Sequence, residues 1–201
     1  MKALSTELNP SLPTYNQILM QKLSLLVLLA ICTISTYSQE KNTYNTEKVW
    51  RINFLNPGAE LELPTGDYST FSTGLGIGYD GGYPDLTYKD NGLIYIIAPF
   101  LDLQQKWFYN LNKRMQKDKT VKNNSGNFVS ARFKTKGPSI TDNVIRTSDF
   151  DFAFGPTWGI QRKYGEKFHL LFDVGPQYYF DTEGNGNIFP LIFQLNLGFD
   201  L

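Results

Sequence analysis

Apolar and polar residues alternate along residues 189–201, which read FPLIFQLNLGFDL. Leucine or phenylalanine occupies every odd position from 191 to 201, whereas Gln194, Asn196 and Asp200 lie between them. Because successive side chains of a β-strand point to opposite faces, this segment predicts a strand with one apolar face and one mostly polar face. The segment is also long enough to cross a bilayer.

The same alternation recurs along the chain. It is carried by segments 49–63, 70–80, 93–109, 127–135, 149–161, 168–180 and 189–201. The apolar positions change parity at Asn56-Pro57-Gly58, so that point contains either a bulge or a tight turn. Since bacterial single-chain barrels have even strand numbers, we expect eight strands. The eighth comes either from dividing 49–63 or from the lead-in 39–48.

Turn-forming residues separate these segments. The turns and loops are predicted at 63–67, 81–91, 136–148, 162–167 and 181–187. The connector 110–122 is instead rich in lysine and arginine, and the spacing of Leu111 and Met115 predicts a short helix. Proline removes a ladder donor, so bulges or kinks are expected where prolines fall within or beside strands. These prolines are Pro99, Pro156, Pro176 and Pro190.

Together the elements predict an all-β fold, an antiparallel up-and-down transmembrane β-barrel of about eight strands. Only helices and closed barrels satisfy backbone hydrogen bonds inside lipid. The apolar side would face lipid, with an aromatic girdle of Trp50, Trp107, Tyr109, Trp158 and Tyr178. The polar side would face the lumen and carry Arg51, Glu60, Glu62, Asp102, Lys106, Arg132, Lys134, Asp149, Asp151, Asp173 and Asp200. A soluble, lipocalin-like barrel with its aromatic side inward is the architectural alternative.

The predicted lumen is filled rather than open. An eight-stranded barrel has an interior just wide enough for side chains, and mixed charges there would pair across it. The closing strand is expected to pair toward residues 50–63, which would turn Asp200 and Asn196 toward Arg51. A diffusion channel is therefore disfavoured.

The N-terminus has the features of an export signal. Lys22 precedes the apolar run 23–34, and Thr36 and Ser38 are small residues of the kind that a signal peptidase reads. We therefore expect an N-terminal extension plus signal peptide at 1–38, with Met20 as an alternative start. A polar lead-in at 39–48 and an outer-membrane barrel domain at 49–201 would follow. The expected location is the outer membrane of a Gram-negative bacterium.

Composition excludes several function classes. Lys+Arg and Asp+Glu are 19 each, so no basic footprint for nucleic acid is present. The single cysteine, Cys32, lies in the expected leader, and the chain has one histidine. Neither a metal site nor a cofactor is therefore expected. The glycines of 70–80 recur at period two with no helix after them, which does not fit a phosphate-binding loop.

Catalytic chemistry has one weak candidate. His169 is the only histidine, and Asp173 lies further along the same strand face. Acyl hydrolysis also needs a nucleophile held by the base, and Ser130 could approach only through folding. A lone histidine in a lumen is more often a hydrogen-bonded filler.

The residues resemble a known class of proteins. A leader ending in Ser38-Gln39, alternating aromatic strands and the final FQLNLGFDL resemble the small outer-membrane β-barrel proteins of Gram-negative bacteria. The segment KWFYNLNKRMQKDK followed by NNSGNF is similar to a barrel-domain group of flavobacteria-like envelopes. The resemblance implies contact with outer-membrane lipids and recognition of strand 189–201 by the barrel assembly machinery. The chain has Leu201 where a terminal aromatic residue is usual, with Phe199 two residues before.

The expected function follows from this placement. We expect a non-enzymatic envelope barrel with a structural, anchoring or interaction role. The alternatives are a lipid-modifying or hydrolytic enzyme using His169 and a small-solute pore. The connector would be either a solvated segment or a surface for an acidic envelope partner such as anionic head groups. Its basic residues are Lys113, Arg114, Lys117 and Lys119.

Overall fold

The computed structural model describes residues 45–80, 87–88, 96–142, 144–145 and 148–201. All of them belong to one unit, residues 42–201. The expected leader at 1–38 and the lead-in before residue 45 lie outside the described residues, as does most of the loop expected at 81–91.

Strands make up most of the described part of the chain. These are β1 Val49–Asn53, β2 Gly58–Gly66, β3 Ser69–Asp80, β4 Thr87–Tyr88, β5 Ile96–Phe108, β6 Asn127–Lys136, β7 Thr141–Asp142, β8 Val144–Ile145, β9 Asp151–Tyr164, β10 Phe168–Asp181 and β11 Gly186–Asp200. The helical elements are α1 Leu111–Met115 and a single 3₁₀ turn at Lys122–Asn124. No helix among the described residues has the length and apolar character needed to span a bilayer.

Eight strands close into an antiparallel ring. Their order is β1-β2-β3-β5-β6-β9-β10-β11, so each strand pairs with its neighbour in the order of the chain. The ring closes where β1 pairs with β11, with Arg51 opposite Asp200 and Asn53 opposite Gly198. The short β7 extends β5 at its edge, and β4 pairs separately with β8. The all-β, antiparallel prediction of about eight strands is confirmed.

The eighth strand comes from the division of segment 49–63. Residues 54–57 form a tight turn between β1 and β2, which settles the parity change as a hairpin rather than a bulge. Inward-facing residues have odd numbers in β1 and even numbers in β2. Arg51 and Glu60 therefore lie directly opposite each other on one face of the hairpin.

The ring has a polar inside and an apolar outside. Along β1, Arg51 and Asn53 are buried while Trp50 and Ile52 are exposed. On the other ring strands, too, polar residues face the inside and apolar residues face the outside. The outward residues include Leu75, Ile77, Trp107, Val129, Phe154, Trp158, Tyr178, Leu191, Phe193, Leu195 and Phe199. The alternative arrangement, with the aromatic side inward, is therefore not the one that the structure has.

The prediction of irregular pairing at strand prolines holds for Pro176 and Pro190 and is wrong for Pro99 and Pro156, which keep a regular register opposite Ile77 and Ala131. The register of β10 against β11 shifts between Gly175 and Gln177, at Pro176. A second shift, between Pro64 and Gly66, lets β2 continue through the turn predicted at 63–67. That turn prediction is wrong in position, because a bulge accommodates the proline without ending the strand.

The connector between β5 and β6 folds onto one end of the ring. Leu111 of α1 is buried in an apolar cluster with Phe108, Phe128 and Leu171. The rings of Phe108 and Phe128 meet edge-on, with centroids 5.7 Å apart. The connector thus contains the predicted short helix, and Leu111 packs it against the end of the ring.

Candidate functional site

Five charged side chains form a cluster inside the ring near the connector. This basal cluster consists of Arg51, Lys106, Glu60, Glu62 and Asp200. Arg51 donates from Nε to Asp200 Oδ1 at 3.0 Å and from Nη1 to Glu60 Oε1 at 3.1 Å, and it also bonds to Glu62. Lys106 Nζ donates to Glu60 Oε1 at 3.3 Å. All five side chains are buried.

Strand register creates this cluster. Arg51 lies directly opposite Glu60 on β2 and opposite Asp200 on β11, so one guanidinium is flanked by carboxylates from both neighbouring strands. Fully buried ions need partners, because removing one leaves an uncompensated charge in a low-dielectric interior. The expected approach of Asp200 to Arg51 is confirmed.

A second group of polar side chains lies further from the connector. This upper cluster consists of Arg132, Asp102, Asp173 and Gln104. Arg132 forms a two-pronged ion pair with Asp102 and donates to Asp173 Oδ1 at 3.3 Å. Gln104 Nε2 donates to Asp173 Oδ2 at 3.1 Å. Each cluster therefore satisfies its charges largely within itself.

The connector closes the end of the ring over the basal cluster. The backbone carbonyl of Asn123 accepts hydrogen bonds from Arg51 Nη2 and Gln161 Nε2, each at 3.2 Å. Asn123 Nδ2 also donates to Asp200 Oδ2 at 2.7 Å. Asn123 and Asn124 both have positive φ, a conformation that asparagine tolerates better than most residues. These two residues act as a polar lid.

The structure places almost all of the predicted lumen charges on the inner face. Asp149 is the exception, because β9 begins two residues later and Asp149 is exposed in a bend. Ser148 bonds through Oγ to both the carbonyl and the amide of Phe150, which turns the chain before the strand starts. The residues placed inside the ring are Arg51, Glu60, Glu62, Asp102, Lys106, Arg132, Lys134, Asp151, Asp173 and Asp200.

The five predicted girdle residues all lie exposed on the outside. They are Trp50, Trp107, Tyr109, Trp158 and Tyr178. Trp158 donates from Nε1 to Tyr109 Oη at 2.7 Å, which ties β9 to the segment after β5 near the connector. Tyr178 lies in the C-terminal half of β10, where its ring meets that of Phe154 edge-on, with centroids 5.7 Å apart.

The predicted catalytic candidates are not assembled into a site. His169 is fully buried, and neither ring nitrogen has a hydrogen-bond partner among the described residues. Its Nδ1 lies 3.6 Å from Asp200 Oδ1. Asp173 is engaged by Arg132 and Gln104 instead, and Ser130 shares a hydrogen bond with Thr157. The contacts of His169, Asp173 and Ser130 thus provide no base-activated nucleophile.

A small cavity lies inside the ring behind the β1–β2 turn. It measures about 20 Å³, room for about one water-sized group. Its polar lining comes from Asn53, Glu60, Ser72, Asp102, Gln104, Gln194 and Asn196. Asn53 Oδ1 and Gln194 Oε1 are inaccessible to solvent and accept no hydrogen bond from the described residues.

The basic residues of the connector lie on its outer surface. Lys113, Lys117 and Lys119 are exposed, whereas Arg114 is partly buried and donates to the carbonyl of Thr120. Partial burial also lowers the pKa of Arg114 from its ordinary value. The lysines therefore form a surface feature, separate from the interior clusters.

The interior also contains uncharged polar residues that the pattern of charges does not identify. Gln161 bonds to Lys106, Glu62 and the Asn123 carbonyl, and Thr70 bonds to Glu62. Strand parity could have identified both residues, since they share the inward face with the charges. The lid residues Asn123 and Asn124 lie outside the alternating segments, so the alternation of polar and apolar residues does not identify them.

Within the described ranges, no group of three or more histidine, cysteine or acidic side chains is arranged to hold a metal ion. No protein-family model, curated protein or solved structure matches the chain.

Proposed function

We propose that the chain is an integral outer-membrane β-barrel protein of a Gram-negative bacterium, with a closed interior and a structural, anchoring or interaction role. One observation carries the proposal: charged residues are buried inside the ring, while large apolar residues are exposed outside it. Arg51 has no exposed surface, whereas Phe193 is 71% exposed. In water this distribution is unfavourable twice, because it buries charge and exposes apolar area.

A bilayer removes that penalty on the outside. Lipid-facing residues of a transmembrane barrel are apolar, its interior is polar, and aromatic residues flank the apolar band. The exposed Trp50, Trp107 and Trp158 toward the connector, with Tyr178 on the other half of β10, fit such flanks. Membrane lipids are accordingly the proposed surroundings, and the barrel assembly machinery is the proposed partner of β11.

The interior favours an anchoring role over a pore. Ion pairs of the basal cluster span the ring from β11 through β1 and β2 to β5, and the lid covers them at one end. His169 holds no nucleophile by a hydrogen bond among the described residues, so it gives no support to the lipid-hydrolysing alternative.

A charge placed on the outer face tests the membrane environment. Phe193→Arg would be almost neutral for a ring surrounded by water, because the side chain is already exposed. In a bilayer it would cost about 2–4 kcal/mol near the midplane. We expect wild type in the outer-membrane fraction to show heat-modifiable migration on gels, and Phe193→Arg to lose most of that folded band.

Glu166→Arg is the matched control, since Glu166 is exposed in the turn between β9 and β10. It should retain the wild-type band. Recovery of wild type in the soluble fraction, or equal behaviour of both arginine variants, would refute the membrane assignment.

A further inference from the structure

Two arginines lie near each other on the outer surface, where the end of β9 meets the connector. Gln161 on β9 points into the ring, so the next residue, Arg162, points outward. Arg114 lies on α1. The positive charge of Arg114 acts unfavourably on that of Arg162, and Tyr164 lies near both guanidinium groups. We call Arg114 and Arg162 the arginine pair.

Hydrogen bonds orient both guanidinium groups without neutralising them. Arg162 donates from Nη1 to the carbonyl of Gly126 at 2.7 Å and to the carbonyl of the residue before it at 2.8 Å. Its Nη2 donates to Asn127 Oδ1. Arg114 donates from Nε and Nη2 to the carbonyl of Thr120, at 3.2 and 2.9 Å. All of these acceptors are uncharged, so both positive charges remain uncompensated.

The arginine pair differs in this respect from the arginines inside the ring. Arg51 binds three carboxylates and Arg132 binds two. Neither Arg114 nor Arg162 forms an ion pair with a residue of the described ranges. An anion from outside the chain is therefore the complementary ligand.

Each guanidinium also has a donor left for such a ligand. Arg162 Nε and Arg114 Nη1 make no hydrogen bond to the part of the chain that the structure describes. Both side chains are partly exposed, and neither of these two nitrogens belongs to the buried atoms that lack a partner. A group arriving from outside the ring can therefore reach them.

The surroundings of the arginine pair are those of a membrane boundary. Tyr109 is 57% exposed and Tyr164 54%. Tyr109 Oη accepts from Trp158 Nε1 at 2.7 Å and from Asn127 Nδ2 at 3.3 Å, and Asn127 in turn holds Arg162. Tryptophan and tyrosine mark the depth of the lipid head groups, and a lipid-facing arginine costs little there. The anion most abundant at that depth is the phosphate of a phospholipid.

We propose that the arginine pair binds the phosphate of an anionic membrane phospholipid, of the phosphatidylglycerol class, on the outer surface of the ring. Arg162 Nε and Arg114 Nη1 donate to phosphate oxygens, and the acyl chains lie along the apolar outer face of β9. Guanidinium groups are suited to this role, because their planar donors match the geometry of phosphate oxygens. The inference rests on the proposed membrane location.

Net charge selects the head group. Two uncompensated cations favour a lipid whose head group carries a net negative charge. Phosphatidylcholine has the same phosphate but adds a trimethylammonium cation, so it is a matched negative probe. Inorganic phosphate presents the anion without acyl chains, so it distinguishes a lipid site from a site for free phosphate.

The experiment measures which lipid the folded protein retains. The full chain is isolated from the outer-membrane fraction in detergent and mixed with equimolar phosphatidylglycerol and phosphatidylcholine of identical acyl chains. After washing with lipid-free detergent, mass spectrometry quantifies the lipids that remain bound. We expect phosphatidylglycerol to exceed phosphatidylcholine about tenfold, the effect of one charge-assisted hydrogen bond. The same preference is expected in an excess of inorganic phosphate.

Two variants remove the site, one from each element. Arg162→Gln and Arg114→Gln each delete one positive charge and its free donor. Lys117→Gln is the matched control, because it deletes the same charge from an exposed position of the connector. We expect both arginine variants to retain the two lipids almost equally and Lys117→Gln to keep the wild-type preference. Heat-modifiable migration is recorded for every protein.

Three results would overturn the inference and leave the membrane assignment intact. They are equal retention of the two lipids by folded wild type, a preference that survives in both arginine variants, and an equal loss in Lys117→Gln. A preference that disappears in excess inorganic phosphate would assign the site to free phosphate and overturn the lipid. Wild type that fails to fold into a bilayer would overturn the membrane assignment as well. If one arginine variant does not fold, the other and the wild-type comparison decide.

Discussion

At the scale of single residues, Arg51 makes three ion pairs inside the described part of the ring. It contacts Glu60, Glu62 and Asp200, and it also donates to the Asn123 carbonyl of the lid. These contacts come from β2, β11 and the connector, so one side chain links both ring neighbours to the end closure. The sequence could identify Arg51 as inward and Asp200 as its neighbour, but only the strand register could supply Glu60 and Glu62 as partners.

Replacing Arg51 should therefore be costly. Arg51→Met leaves Lys106 as the cationic partner of Glu60 and Glu62 and removes the arginine that pairs with Asp200, so we expect a loss of about 3–5 kcal/mol in unfolding free energy. Urea unfolding of the protein in detergent micelles, followed by tryptophan fluorescence, measures it. Lys117→Met in the connector is the control, because Lys117 is exposed, and it should change the free energy by less than about 0.5 kcal/mol. Equal effects of the two changes would contradict the role of Arg51.

His169 leads to the opposite expectation. Because its ring nitrogens lack hydrogen-bond partners among the described residues, His169→Leu removes no observed hydrogen bond. We expect the variant to fold, and mass spectrometry of envelope lipids to give the wild-type acyl pattern in cells that carry it. Loss of a lipid product in that strain, with the folded band intact, would favour the enzymatic alternative.

At the scale of elements, alternation predicted the strands better than it predicted their ends. Each predicted segment contains a strand, but β2 runs to Gly66 and β9 to Tyr164, past residues that resemble turns. Turn propensity is local, whereas the ladder continues as long as a neighbouring strand offers partners. For that reason the bulge at Pro64 and the late start of β9 could not be read from composition.

Strands β9 and β10 approach closely at two Gly-Pro pairs. A Cβ on Gly155 would press on the carbonyl oxygen of Pro176, and one on Gly175 would press on that of Pro156. Neither position can accept a side chain without backbone movement. This reciprocal approach explains why both positions are glycine.

Alanine substitutions at two inward glycines should therefore differ. Gly155→Ala is expected to destabilise the ring by about 1–3 kcal/mol, since the new methyl group meets fixed backbone. A methyl group at Gly74 would make ordinary contacts. Gly74→Ala should therefore be neutral or stabilising by up to about 1 kcal/mol, because alanine lowers the conformational entropy of the unfolded chain. Urea midpoints of the two variants provide the comparison, and equal midpoints would contradict it.

At the scale of the whole molecule, the interior contains paired charges where a channel would need water. The lid, the basal cluster and the upper cluster follow one another along the ring axis, and the cavity of about 20 Å³ is lined by residues of both clusters. The sequence predicted this filled lumen from its mixed charges. It could not predict the lid, because residues 122–124 act through backbone carbonyls and left-handed turns rather than through a periodic pattern.

Conductance tests the filled interior. We expect refolded protein in planar bilayers to give no discrete current steps, since the ion pairs would have to break for hydrated ions to pass. Insertion is verified in the same sample by protection of the ring from added protease. Regular current steps that scale with protein concentration would show that the interior opens.

The pairing of β1 with β11 also sets the order of events during folding. Arg51 and Asp200, which meet in that pair, are 149 residues apart in the chain. All other ring pairs join strands that are consecutive around the ring and close in sequence, so hairpins can form early and locally. The closing pair has the highest loop-closure entropy and should form last, making it the slow kinetic step. Until then both strand edges remain open, and the unfinished sheet is most vulnerable to aggregation.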